Sequence, residues 1–189
     1  QSTSLNLNLL LHGLGKGGDS ANANGGGNVN PQRTTRNIKV EIFKSVLDPA
    51  GQNQLVLALT KDGAVVFDTA SGSFKGNIDI GTTLTTGAYT VKIKPDQFLR
   101  GLIPGIQTIT QGSVNTLPQV TLVSGDSNND NKVNILDYAV ILDCYSDITP
   151  AKKCADPAKK ASTDITDDGA VNQFDYNLFL RELNNVRGD

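Results

Sequence analysis

Two twelve-residue segments near the C-terminal end of the chain carry acidic and amide side chains at matching intervals. The first runs from Asp126 to Asp137 and the second from Asp164 to Asp175, and a tyrosine follows each one directly, Tyr138 or Tyr176. Because the spacing is the same in both, the sequence predicts two copies of one structural unit. Such side chains offer oxygen atoms, so the binding of a hard cation is the chemistry to consider first.

The oxygen-bearing residues fall at the positions that a calcium-binding loop uses. Ca²⁺ takes about six to eight oxygen ligands at roughly 2.3–2.6 Å, and a loop of about twelve residues supplies them from positions one, three, five, seven, nine and twelve. In the first copy these positions hold Asp126, Asn128, Asp130, the Lys132 carbonyl, Asn134 and Asp137. In the second copy they hold Asp164, Thr166, Asp168, the Ala170 carbonyl, Asn172 and Asp175.

Two further positions agree with this interpretation. Position six must turn sharply with a positive φ, which Gly169 adopts freely and Asn131 adopts better than most other residues. Position eight is apolar in both copies, Val133 and Val171, as a contact between paired loops requires. The alternative is a pair of Asp/Asn-rich turns that cap helices. Since every ligand position is filled in both copies, the sequence favours two bound Ca²⁺ ions.

The elements that must hold these loops are helices. Apolar residues recur at helical spacing from Ile135 to Tyr145 and from Phe174 to Val186, so residues 124–189 are predicted to form a small α-helical module with two EF-hand-type calcium loops. The connector between the two copies carries Cys154, and Cys144 lies shortly before it. In a secreted chain these cysteines are a plausible disulfide, and in a cytosolic chain they would be two thiols.

Residues 37–123 show the alternation of β-strands. Apolar residues alternate at Ile38, Val40 and Ile42, and again over 55–59, where a Lys61-Asp62-Gly63 turn is predicted to follow. Short strands at such spacing predict about seven strands in an immunoglobulin-like β-sandwich. The fold class is therefore a mainly β sandwich followed by a small helical module.

Residues 1–12 form an isolated apolar strand, with leucines at every second position from Leu5 to Leu11. Residues 13–36 are rich in Gly and Asn and are predicted to be a linker. The strand could fold back into its own sandwich, or it could complete the sheet of a neighbouring copy. We favour donation, which would build a homopolymeric filament from copies of this chain.

Composition excludes several classes of function. The 189-residue chain has a net charge of −2, so no basic face for nucleic acid stands out, and no apolar run approaches the ~20 residues of a membrane helix. No nucleophile–base pair can be placed, so we predict no catalytic residues and no enzyme activity. The chain begins with Gln1 and contains no Met, which is typical of a secreted protein whose signal peptide has been removed. The prediction is an extracellular or cell-surface protein.

The paired loops also resemble a known family. An Asp at position twelve, a Tyr after it, and one loop–helix unit repeated between about residues 125 and 185 are similar to a dockerin. This resemblance implies a calcium-folded module of two loop–helix units and a cohesin domain as partner. The pair after the tyrosine differs between copies, Ala139-Val140 against Asn177-Leu178, which departs from a symmetric binding face.

A β-sandwich followed by such a module also resembles secreted surface and filament proteins of environmental bacteria. The primary hypothesis is therefore a calcium-binding structural subunit of an extracellular filament, assembled by donation of residues 1–12. The alternative is a dockerin-type module that docks onto a cohesin in a multi-protein extracellular complex.

Overall fold

The computed structural model describes residues 1–16, 27–148, 154–183 and 188–189, and within these ranges nine strands precede three helices. The strands are β1 (Thr3–Leu11), β2 (Thr35–Leu47), β3 (Asn53–Asp68), β4 (Ser73–Gly81), β5 (Gly87–Pro95), β6 (Gly101–Leu102), β7 (Gln107–Ile109), β8 (Val114–Thr116) and β9 (Val120–Leu122). The helices are α1 (Ile135–Leu142), α2 (Pro157–Thr163) and α3 (Gln173–Glu182). A mainly β region followed by a small helical part is therefore confirmed.

One continuous sheet joins these strands in the order β6-β5-β2-β3-β4-β1-β8, with β7 paired to β5 and β9 paired to β1. Its two ends meet, because the Leu99 N–H donates to the Val123 carbonyl at 2.7 Å, and Phe98 forms an antiparallel bridge with Ser124. The result is barrel-like, and the predicted immunoglobulin-like sandwich of two sheets is not confirmed. The physical reason is that β1 is paired along both edges and so connects strands that a sandwich would separate.

The N-terminal strand belongs to its own sheet. β1 runs antiparallel to β4, from Thr3 opposite Gly81 to Leu9 opposite Phe74, and its other edge pairs in parallel with β8 and β9. Its alternate residues, the four predicted leucines among them, are buried in the core of the β region. The expectation that residues 1–12 are donated to a neighbouring copy is therefore corrected: both edges are already satisfied within the chain, and neither a filament nor a homopolymer is supported.

The β2–β3 hairpin differs from its prediction. The predicted Lys61-Asp62-Gly63 turn lies inside β3, where Asp62 pairs with Lys39 of β2. The chain instead reverses at residues 48–52, where Gly51 has φ 76° and the Asp48 side chain accepts main-chain hydrogen bonds from Ala50 and Gln52. The hairpin extends beyond the neighbouring strand β5, so side chains near its tip are largely exposed.

The helical part has a hydrophobic cluster of its own. The buried position-eight residues Val133 and Val171 meet there with Phe179 of α3, and Leu99 of the β region joins them. A disulfide links Cys144 to Cys154 and ties the end of α1 to the segment before α2. In the described part of the chain, no helix combines the length and the apolar character needed to cross a membrane.

Helix α2 was not predicted, although its start has a local signal. Asp156 accepts main-chain hydrogen bonds from Ala158 and Lys159, and Pro157 occupies the first helical position. An Asp-Pro pair before helix-favouring residues is a typical helix start. Parts of three predictions lie outside the described residues: the linker over 17–26, the connector over 149–153, and the end of the last helix over 184–187.

Candidate metal centre

Each predicted loop has a left-handed backbone at the same two positions. Position four has a positive φ in both copies, 60° at Asn129 and 54° at Asp167. Position six does as well, with 66° at Asn131 and 93° at Gly169, as the sequence predicted. A Cβ built at Gly169 would also lie 2.1 Å from Nε2 of Gln32, so that flexible side chain would have to move.

The last ligand of each loop is held by the helix that follows it. Asn134 caps α1 and Asn172 caps α3, and each forms a capping box with the aspartate three residues later. Asp137 therefore accepts from the Asn134 N–H, and Asp175 from the Asn172 N–H, both at 2.9 Å. Both aspartates are fully buried, and burial is the main cause that raises the pKa of each. The predicted alternative of helix-capping turns is thus present within the loop geometry itself.

The second loop brings its carboxylates together. Asp164, Asp168 and Asp175 each place a carboxylate oxygen within 4.8 Å of the others. Burial, followed by the nearby charge of Asp175, raises the pKa of Asp164 to about 6. Thr166 donates its hydroxyl to Asp175 Oδ1 at 3.0 Å, so it also faces this cluster. Crowded and buried carboxylates repel one another, and a divalent cation between them would relieve that repulsion.

The first loop presents an unpaired oxygen. Asp126 is fully buried, and its Oδ2 accepts from the Asn131 N–H at 3.0 Å and lies 2.8 Å from Lys94 Nζ. Its Oδ1 is buried and has no hydrogen-bond partner among the described residues. A buried carboxylate oxygen without a partner is costly, and coordination to a cation would satisfy it. The donor set of this loop therefore fits a calcium ion.

The remaining predicted ligands lie along both loops in matching places. Asn128 Oδ1 accepts from the Asp130 N–H at 2.9 Å and bends the chain around the site. The position-seven residues supply main-chain carbonyls, and the Lys132 and Ala170 N–H groups donate to Asp130 and Asp168, each at 2.9 Å. In the described residues, the threefold grouping of carboxylates is found in the second loop.

The β region covers the outer side of both loops, which the sequence did not predict. Residues 27–36 of the predicted linker lie against the second loop, where Arg33 and Arg36 bind the buried side chain of Asp167 at 2.7 and 2.9 Å. Asn28 donates to the carbonyls of Thr166 and Asp167, both at 2.9 Å. The one available signal was the presence of two arginines in a stretch otherwise poor in charge.

Part of the surface of the helical region is apolar and exposed. Ile135 and Leu136 at the start of α1 are 70% and 58% exposed, and Phe174 of α3 is 59% exposed. A groove of about 340 Å³ lies between α1 and α3. The two tyrosines that follow the loops meet beside it, with Tyr138 and Tyr176 ring centroids 6.1 Å apart.

Comparison with known proteins agrees with this geometry. Residues 124–184 match the family model of the dockerin type I domain. No curated protein and no solved structure matches the chain. The matched residues include both loops and all three helices, and they begin where the sheet ends. The C-terminal part of this chain is therefore a dockerin-like module, and it follows a β-rich region.

Proposed function

We propose that this chain is an extracellular, calcium-binding docking protein whose dockerin-like module attaches the β region to a cohesin-type partner. Dockerin type I domains typically bind calcium and suggest docking onto cohesins in extracellular complexes. The observation that carries the proposal is the asymmetry of the module: its loops lie against the β region, while the apolar face of α1 and α3 is open. The proposed role is attachment, with no catalytic step.

Two Ca²⁺ ions would be held by the predicted ligand sets. Asp126, Asn128, Asp130, the Lys132 carbonyl, Asn134 and Asp137 would hold one, and Asp164, Thr166, Asp168, the Ala170 carbonyl, Asn172 and Asp175 the other. The ions would supply structural rigidity by neutralising carboxylates that otherwise repel each other. Because each site ends on a helix-capping aspartate, ion binding would also fix the start of α1 and of α3.

The open face of α1 and α3 supports docking. Exposed apolar side chains that flank one groove are typical of an interaction surface. The exposed apolar residues on the two helices are Ile135, Leu136, Leu142, Phe174 and Leu180, with Leu183 at the end of α3. The surface is not symmetric, because Val140 on α1 is half-buried, whereas the residue at the same place on α3, Leu178, is buried. We therefore propose a single preferred docking orientation.

Calcium titration followed by cohesin capture tests the proposal. The chelator-stripped chain should bind calcium in calorimetry, and the calcium-loaded chain should be captured by at least one member of a panel of type I cohesin domains. The variant Ile135→Gln should weaken capture. Leu47→Gln should leave it unchanged, and it is a matched control because Leu47 is also 70% exposed but lies on the β2–β3 hairpin. If the loaded chain binds calcium but no cohesin, the docking proposal is wrong.

A further inference from the structure

The fourth residue of each calcium loop is not a ligand, yet in both loops it holds the β region. Asn129 Oδ1 accepts the main-chain N–H of Gln97 at 2.7 Å. Asp167 Oδ2 accepts the main-chain N–H of Arg33 at 2.8 Å. The two contacts are equivalent by loop position, although their donors lie in separate parts of the β region. Both acceptor residues have a left-handed backbone.

On the second loop this contact is reinforced by charge. Asp167 is 1% exposed and binds both Arg33 and Arg36. Arg33 also donates to the carbonyl of Asp164 at 2.9 Å and to the carbonyl of Ala161. Since Asp164 is the first ligand of the loop, the β region reaches the backbone of a metal-binding residue without occupying its carboxylate. Charge-assisted contacts of this kind are stronger than neutral ones.

On the first loop the β region contacts one carboxylate oxygen of a predicted ligand and leaves the other oxygen free. Lys94 binds Oδ2 of Asp126 at 2.8 Å, whereas Oδ1 stays without a partner among the described residues. The N–H of Arg100 donates to Asn131 Oδ1 at 2.7 Å, which holds the left-handed position six. The loop is thus fixed at positions one, four and six from outside.

External contacts of this kind matter most before the ion binds. Carboxylates held within 4.8 Å of each other repel, so a free loop would open until calcium arrives. For a loop that opens, the apparent calcium affinity equals the intrinsic affinity multiplied by the fraction of time that the loop spends in the binding conformation. We propose that the β region positions both calcium loops through their fourth residues, Asn129 and Asp167, and thereby raises the calcium affinity of the module within the same chain.

This inference rests on the proposed calcium function, and it assigns Arg33 and the Gln97 N–H as positioning groups. Loss of one such hydrogen bond should reduce the population of the binding conformation by about two- to tenfold. Each loop should respond most strongly to its own variant, because the contacts come from different segments that are joined by one long hydrogen bond, from Arg33 Nη1 to Gln97 Oε1 at 3.4 Å. Each loop then serves as the internal control for a variant of the other.

Two full-length variants test the inference. Asn129→Gly keeps the positive φ at no strain and removes the side-chain oxygen that accepts from the Gln97 N–H and from Lys94 Nζ. Arg33→Lys keeps the charge and removes the forked contacts to Asp167 and to the loop carbonyls. Asn53→Gly, on the exposed part of β3, is the control for an Asn-to-Gly change elsewhere. Calcium affinity is measured by calorimetry, and hydrogen exchange of the chelated protein is measured by mass spectrometry over 126–137 and 164–175.

The expected result is a two- to tenfold weaker calcium affinity in each variant, with faster exchange in the chelated state over the first loop for Asn129→Gly and over the second for Arg33→Lys. Saturating calcium should restore protection in both. If either variant folds and shows unchanged calcium affinity and unchanged exchange, the inference is wrong. The proposed function still stands in that case, provided that the wild-type chain binds calcium. A wild-type chain that binds no calcium would overturn both. Either variant is sufficient if the other does not fold.

Discussion

Acidity should stabilise the calcium-free protein, because the second loop buries a carboxyl group that prefers to be protonated. Burial, and after it the charge of Asp175, raises the pKa of Asp164 from 3.8 to about 6. The folded protein therefore binds a proton more tightly at this site than the unfolded chain does. The associated stability is fully present below about pH 4 and is lost as the pH rises through about 6.

The magnitude follows from the size of this shift. Between pH 4.5 and 6.5 a carboxyl group with these two pKa values contributes a change of about 2 kcal/mol, and solvent screening of a loop near the surface reduces it to about 1–2 kcal/mol. Asp175 and Asp137 add to the effect in the same direction, since burial also raises the pKa of each. Groups with a lowered pKa, such as Asp68 at about 2, act at more acidic pH.

Urea unfolding in excess chelator at pH 4.5 and 6.5 measures this effect. Wild type should be less stable at the higher pH, and Asp164→Asn, which cannot titrate, should lose most of the difference. Asp62→Asn, at an exposed position of β3, should keep it. With saturating calcium the order should reverse, because the ion binds deprotonated carboxylates. A chelated wild-type protein that is as stable or more stable at pH 6.5 would refute the reasoning.

Two further predictions address the cystine and the first strand. Replacing both Cys144 and Cys154 with serine should lower the free energy of unfolding by about 3 kcal/mol on the chain-entropy model, measured by urea unfolding without reductant; a loss near zero would show that the bridge constrains little. Deleting residues 1–11 should abolish cooperative unfolding of the β region in calorimetry, because the deletion removes four buried leucines and the strand between β4 and β9. A soluble, cooperatively folded product would show that the β region does not depend on this strand.

Local patterns predicted the strands better than they predicted the sheet. The period-two leucines of β1 and the alternation from Ile38 to Ile42 identified both strands, because side chains of a half-buried strand face alternate sides. The same alternation at Leu55 and Leu57 predicted a strand correctly but not its setting, since both side chains are 51% exposed near the hairpin tip. Which strands pair, and hence whether the sheet closes, depends on contacts far apart in the sequence.

The turn prediction failed for a related reason. An Asp-Gly pair favours a tight turn only where the flanking residues have no better partners. In this chain Asp62 and Gly63 lie opposite Lys39 and Ile38 and continue the ladder of β3. The chain turns at residues 48–52, which contain the Asp, Pro and Gly that favour turns. These residues precede the alternating apolar residues of Leu55–Leu59, whereas the predicted turn was placed after them.

Candidate calcium ligands could be proposed from the sequence because each set comes from twelve consecutive residues with the spacing of a calcium loop. The contacts that hold the loops from outside could not be predicted in this way. Arg33 and Asp167 are 134 residues apart, and Lys94 and Asn129 are 35 apart. Nothing in the local sequence of Arg33 indicates an acidic partner, and only the fold brings the two together.

The contacts between the β region and the calcium loops limit the directions from which a docking partner could approach the helical module. The β region forms hydrogen bonds with the residues at positions four and six of the first loop and at position four of the second. A docking partner could therefore not approach these residues without displacing the β region. The apolar residues at the starts of α1 and α3 lie directly after the loops and remain exposed. If calcium binds as proposed, it would hold the aspartates of both capping boxes and thereby order the starts of α1 and α3, while the β region holds the loops in place. Ion binding, attachment to the β region and partner docking would then share one rigid element, and a change that loosens either loop should weaken docking even when every residue of the open face is intact.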